Sequence, residues 1–250
     1  MRAEGLELTY RGGVRALDGV SLNVMPGQFV SIVGPSGCGK STLLRLIAGL
    51  IRPTGGCLSV LGDDPTEARL AGAGLSFVFQ DPTLLPWRSV RDNVRLPLEL
   101  ARTARAARDA RIAGVLDMVG LADFARHYPN ELSGGMRMRA SLARALVIEP
   151  RLLLLDEPFA ALDDITRQAL GEELSRLHTA RGWTGIFVTH NIAEAVYLSQ
   201  RVLVMSPRPG RIVAEIDVPF EMPRPAELRS RADFARVTGD VAGWLRRAGR

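Results

Sequence analysis

Lysine is all but absent from this 250-residue chain: 31 of its 32 basic residues are arginine, and Lys40 stands alone. Cysteine is scarce too, and Cys38 and Cys57 are too few for a disulfide framework. No apolar run approaches the roughly 20 residues that cross a bilayer. The longest clean one, Leu152 to Leu155, has the length of a buried strand. Met1-Arg2-Ala3-Glu4 does not open an apolar leader, so a cytoplasmic location is expected. The net charge is +5, yet no dense basic block and no basic patch interleaved with aromatics occurs. Acids are spread among the arginines, which describes a solvated surface and excludes a nucleic-acid partner.

Hydrophobic residues make up 46% of the chain, enough for one domain with a substantial core and room for a subdomain. Leu6, Leu8 and Tyr10 alternate with polar residues at strand period. Phe29 to Val33 reads as a short strand, followed by a glycine-rich loop and then Leu43, Ile47 and Leu50 at helical spacing. Val90 to Glu131 reads as helical, with Arg102 to Arg111 as a solvated helix face. Ser133 opens a further helix with Met136, Ala140, Ala143 and Val147 on one face. Then come a strand at Leu152–Leu155, a helix at about 165–179, a strand at 185–189 and a hairpin of 201–205 with 211–217. The tail from Pro225 reads as a short basic helix containing Trp244. Strands alternating with helices give an α/β class with a mostly parallel sheet. The helical stretch between Val90 and Pro150 interrupts that alternation as an inserted subdomain.

Gly34-x-x-x-x-Gly39-Lys40-Ser41 fits a phosphate-binding loop set between a strand and a helix. Glycines let the backbone wrap a phosphate, and the loop amides and helix N-terminus supply donors. The lone lysine falls where a compact positive charge on a thin stem is needed and arginine's wide fork would not fit. Asp156 ends an apolar strand, where open α/β sheets place their ligands, and suits Mg²⁺. Glu157 follows it. Strand alternation predicts that the two acids point to opposite faces, leaving Glu157 for an attacking water. Leu132-Ser133-Gly134-Gly135-Met136 makes a second anion-binding helix start.

In this order, these motifs resemble the ATP-binding subunits of ABC transporters over about residues 4–218. Tyr10 resembles the aromatic that stacks on adenine. Gly34, Pro35, Ser36, Gly37, Cys38, Gly39, Lys40, Ser41 and Thr42 match the Walker A loop. Cys38 carries no required chemistry there. Gln80 matches the glutamine that touches Mg²⁺ and the water. Leu132 to Met136 matches the signature, with Met136 where glutamine is commoner. Leu152 to Glu157 matches Walker B, Ala161-Leu162-Asp163 the D-loop, and His190 the switch histidine. His127 and His178 lack such context and are assigned structural roles.

The resemblance implies a P-loop ATPase fold with an antiparallel β subdomain and a helical insertion at about 90–150, in an ATPase domain of residues 1–218, with 219–250 as a short tail. It implies ATP and Mg²⁺, the latter held by Ser41, Gln80 and Asp156. It makes Glu157, His190 and Lys40 catalytic. It implies a head-to-tail dimer in which Ser133, Gly134, Gly135 and Asp163 of one copy meet ATP on the other. A transmembrane permease, met through Asp81 to Trp87, and a solute-binding protein complete the expected system on the cytoplasmic face of the membrane. Leu84 to Trp87, Leu132 to Arg139 and Ser206 to Arg211 look like importers of nitrate, sulfonate, taurine or pyrimidine precursors. The rival readings are a soluble ABC ATPase and a P-loop kinase or GTPase.

Overall fold

The computed structural model describes residues 1–72 and 74–249, the side chains of Arg105 and Ala106 aside. Two sheets organise the chain. The smaller is antiparallel, in the order β2 (Arg15–Asn23), β1 (Arg2–Thr9), β4 (Gly55–Ser59). The larger runs β5 (Leu75–Val78), β6 (Leu152–Asp156), β7 (Thr184–Val188), β3 (Phe29–Val33), β8 (Arg201–Met205), β9 (Ile212–Asp217). Its pairings are parallel except for β8 with β9.

Strands β3, β6 and β7 are buried at every position. Covered on both faces, they read as unbroken apolar runs rather than as alternation. Alternation survives as a division of the core. Leu152, Leu154, Ile32, Val188 and Leu203 pack toward helix α1 (Lys40–Ile47) and the small sheet. Leu153, Leu155, Phe29, Val33 and Phe187 pack on the other side, among the remaining helices.

Helix α2 (Pro65–Leu70) is capped by Asp64, whose carboxylate accepts from the Thr66 amide. Helix α3 (Val90–Leu100) is capped by Ser89, and α4 (Arg105–Met118) and α5 (Gly134–Leu146) pack with it into the helical insertion. Arg102 lies in the turn before α4 at φ 53, not on a helix face. Met138, Ala140, Ala143 and Val147 are buried around α5, whereas Met136 is only half-buried. Helix α6 runs Asp164–Arg181, longer at both ends than its spacing predicts. The Asp163 carboxylate accepts from the Thr166 amide at its start, and Gly182 at φ 66 ends it. Leu50 falls beyond α1 and is exposed, because the helix stops at Ile47 before the next turn can bury it.

Helix α7 (Ile192–Leu198) and α8 (Ala232–Ala248) close the second face. Phe234, Val237 and Val241 of α8 are buried in that core. Arg224 anchors the approach to α8. Its buried guanidinium donates to the carbonyls of Val196, Tyr197 and Phe220, and burial pulls its pKa down to about 10. No described helix is long and apolar enough to cross a membrane.

Candidate functional site

Four neighbouring strands of the large sheet deliver residues to one place. Gln80 follows β5, Glu157 follows β6, His190 follows β7 and the glycine loop follows β3. All lie beyond carboxyl ends of parallel strands, where open α/β sheets bind ligands. There they line a cleft of about 630 Å³ together with Tyr10, Val14, Ala16, Ser36, Gly37, Gly39, Lys40, Ser41, Thr42 and Arg208. A second cleft, about 590 Å³, lies at the opposite strand ends beside Pro26, Arg151 and Thr184. It collects none of the motif residues.

The loop is shaped by close contacts. Gly39 adopts φ +110, and a Cβ there would lie 2.8 Å from Leu17 Cδ2 and 2.9 Å from the Ala16 carbonyl. Only glycine meets both demands. Gly39 offers no side-chain cap to α1, so the first amides of that helix remain free for an anion. Lys40 is 5% exposed, and its Nζ donates to the carbonyls of Gly34 at 2.9 Å and Pro35 at 3.0 Å. The ammonium thus sits inside the curl of the loop. Gly34 and Cys38 are buried behind the loop and Pro35 lies on its outer side; they build its shape without lining the cleft. Burial raises the Cys38 thiol above its usual range despite the neighbouring Lys40 charge, which keeps it a packing group.

Asp156 continues the Leu152, Leu154 side of β6 and therefore faces α1. There its Oδ1 accepts from the Ser41 hydroxyl at 2.8 Å. Burial raises its carboxyl pKa, with the Ser41 hydrogen bond opposing. These two oxygens form a hard donor pair of the kind Mg²⁺ takes beside phosphate oxygens. Gln80 opens on the same cleft.

Glu157 departs from the expectation of simple strand alternation. β6 ends at Asp156, and Glu157 turns into left-handed backbone at φ 48 while its amide donates to the Val188 carbonyl at 2.9 Å. A non-glycine residue held so costs about 1–2 kcal/mol, a strain that clusters at functional sites. The turn aims its carboxylate into the cleft, where Oε2 accepts from His190 Nδ1 at 3.0 Å. Tyr10 lies just past β1, half-exposed, with its hydroxyl 3.1 Å from Thr42 Oγ1.

Ser133, Gly134, Gly135 and Asp163 do not join this cleft. Ser133 is exposed and caps α5, its hydroxyl accepting from the Met136 amide at 3.2 Å. Asp163 is exposed as well, and the Thr166 amide bond holds its carboxyl below the usual range. His178 is buried, with Nε2 3.0 Å from the Gly27 carbonyl and its ring edge-on to Phe29 and Trp183.

Arg208 was not marked by sequence as a site residue. It reaches the loop from the β8–β9 turn, donating from Nε and Nη2 to the Gly37 carbonyl at 3.2 and 3.1 Å. The turn is pinned because Gly210 packs where a Cβ would meet the Cys38 carbonyl at 2.2 Å. Its Ser206-to-Arg211 string carried no spacing that places it on a loop far upstream. Val14, in the connection before β2, and Ala16, on β2, were likewise unmarked, being ordinary apolar residues.

Residues 17–160, more than half the chain, match the ABC transporter family model. An aliphatic sulfonates import ATP-binding protein of Mesorhizobium japonicum is 45% identical over 238 residues, covering 95% of this chain and 85% of that one. A taurine import ATP-binding protein of Rhizobium johnstonii is 47% identical over 211 residues, covering 84% and 79%. A dimeric ATP-binding cassette in a post-hydrolysis state with ADP and Pi superposes with a TM-score of 0.79 at 34% identity, covering 88% of this chain and 99% of that one. The chain therefore belongs to the ABC transporter family, as an ATP-binding subunit that hydrolyses ATP.

Proposed function

We propose that two copies of this chain pair head to tail and drive import of a small solute through a separate membrane permease. The observation that carries this reading is a division of parts. Lys40, Glu157, His190 and Gln80 share one cleft, whereas the helix start at Ser133, Gly134 and Gly135 lies outside it, with Ser133 exposed and the two glycines half-buried. A two-fold arrangement lets one surface serve both sites, each cleft closed by the other copy's α5 N-terminus.

In each site Tyr10 stacks on adenine. The loop amides of Ser36 to Thr42 and the Lys40 ammonium hold the phosphates. Ser41, Asp156 and Gln80 hold Mg²⁺, which neutralises charge on the phosphate oxygens when bound. The Glu157 carboxylate accepts a proton from the attacking water, and His190 fixes its orientation and meets the γ-phosphate. Preorganised donors around the transferring group supply most of the rate in such sites. Asp163 contributes to the pairing surface.

The membrane contact lies in the segment after Gln80. Arg144 donates to the carbonyls of Pro82 and Thr83, at 3.0 and 2.8 Å. Buried Asn93 accepts from the Leu85 amide at 2.8 Å and donates to the carbonyls of Leu85, Arg88 and Ser89. Leu84 and Leu85 are half-buried, while Trp87 is 72% exposed on this fixed loop. A rigid loop that presents a tryptophan suits a protein partner. The chain would then work as a peripheral subunit on the cytoplasmic face of the membrane. Its relatives point to a sulfonate- or taurine-like solute delivered by a solute-binding protein.

The test is to tag the chain, solubilise native membranes gently and identify what co-purifies. A multi-span partner at about one per ATPase subunit is expected. Recovery from the soluble fraction alone would leave the ATPase in place and favour a soluble ABC machine.

A further inference from the structure

Beside the cleft, side chains from α6 and the start of α7 join into one polar chain. Arg167 on α6 donates from Nη2 to the Leu162 carbonyl at 2.7 Å, the residue before Asp163. Its Nη1 donates to Asp164 Oδ1 at 2.8 Å. Its Nε edge faces Glu194 Oε1 at 3.3 Å, an ion pair with side chains only 23% and 13% exposed. The other oxygen of Glu194 accepts from the Thr189 hydroxyl at 2.6 Å. That hydroxyl also accepts from the Asn191 amide at 3.0 Å, so the backbone on both sides of His190 is tied to Glu194. His190 in turn donates to Glu157. Neither Arg167 nor Glu194 lines the nucleotide cleft.

A half-buried ion pair of this kind is a weak source of stability, because desolvation offsets much of its attraction. Burial raises the Glu194 carboxyl pKa, while the Thr189 hydroxyl and the Arg167 charge favour its ionised form. What the pair does supply is geometry: Nη2 of the planar fork fixes a loop carbonyl by a hydrogen bond, while Nε, which makes no hydrogen bond, faces the Glu194 carboxylate as an ion pair. A cavity of about 90 Å³ bordered by Asp164, Arg167, Asn191 and Glu194 leaves the fork room to shift.

We propose that Arg167 and Glu194 are a positioning pair that couples the Leu162–Asp164 segment to His190, so that docking of a second copy on that segment sets the histidine over Glu157. The inference rests on the role given above to His190. Breaking any link should then slow chemistry without weakening nucleotide binding. Arg167→Met and Thr189→Val should each lower kcat for ATP about tenfold, with KM within about twofold, the size of ordinary pairwise coupling. Arg167→Lys should recover part of the loss, since it keeps the charge but not the fork. The double variant should be no slower than the slower single one, because a chain cut at one link is already cut.

The measurement is steady-state ATP hydrolysis by the full chain, with ATP affinity measured separately. Thr189→Val keeps the side-chain shape and decides the matter if Arg167→Met does not fold. A Thr189→Val kcat within about twofold of the parent, or a double variant losing the product of the two single losses, would overturn the coupling. His190→Ala separates this from the reading beneath it. An unchanged kcat in that variant removes His190 from hydrolysis and the pair with it. An inactive His190→Ala beside a fully active Arg167→Met removes only the pair.

Discussion

Two helices of this protein begin alike in sequence and end up with opposite surroundings. Glycines mark both starts, Gly39 just before α1 and Gly134-Gly135 opening α5, and both helices present amides at an N-terminus. At α1 the cap is Gly39, which has no side chain to take an amide, and Lys40, Ser41, Glu157, Gln80 and His190 crowd around the open amides. At α5 the cap is Ser133, whose own hydroxyl takes the Met136 amide, and the segment faces outward. The first is a site built within one chain. The second is half a site, complete only when something from outside carries the anion to it. Motifs that look equivalent along the sequence can thus differ in whether the chain finishes them itself.

The sharpest way to break this comparison is Ser133→Arg. The wide side chain should abolish turnover, a loss of at least about 10² if α5 closes a partner's cleft, while ATP binding to the isolated chain is unchanged. Normal hydrolysis would mean that the α1 cleft works alone and that the two helix starts are unrelated. On the other side of the comparison, Glu157→Gln should slow turnover by about 10² and leave ATP binding intact, as loss of a general base does. Equal turnover would remove Glu157 from that role. Tyr10→Ala should weaken ATP about tenfold, the worth of one stacked base, with kcat preserved. A kcat loss there would mean that Tyr10 acts through Thr42 on the phosphates rather than through adenine.

The smallest effect concerns Asp156. Its folded-state carboxyl titrates above the usual 3.8 because it is buried. A raised carboxyl favours the fold only while protonated, so its contribution is present below that value and is lost as pH rises through the folded one. Without Mg²⁺, Asp156→Asn should therefore melt a few degrees above the parent at neutral pH, with the gap closing in acid. Thermal melts at both pH values decide it. Equal melting at neutral pH would show that Ser41 and Lys40 fully offset the burial.

Much of the cleft was legible because its chemistry demands particular residue types at fixed local spacing. The lone lysine, the glycines around it and the acids after Leu155 announce themselves within a few residues. Asp156 followed the strand rule and faces Ser41. Glu157 did not, because the strand had already ended and its backbone turned left-handed, which no period-two pattern can encode. Helix ends were legible where a cap marks them and drifted elsewhere: Asp163 and Gly182 set α6 one residue and two residues wider than apolar spacing suggested.

By itself the sequence determined the α/β class, the phosphate loop, the acidic strand end and the capped start of α5, since each follows from local conformational preference and burial pattern. Only the tertiary structure decided which residues share the cleft. It brought Arg208 onto Gly37 across the chain, left Ser133 and Asp163 outside, and joined Leu162 to Thr189 through Arg167 and Glu194. The reason is physical: sheet order β5-β6-β7-β3 sets those neighbours, and strand order is fixed by which faces can be buried together, a property that no single segment carries.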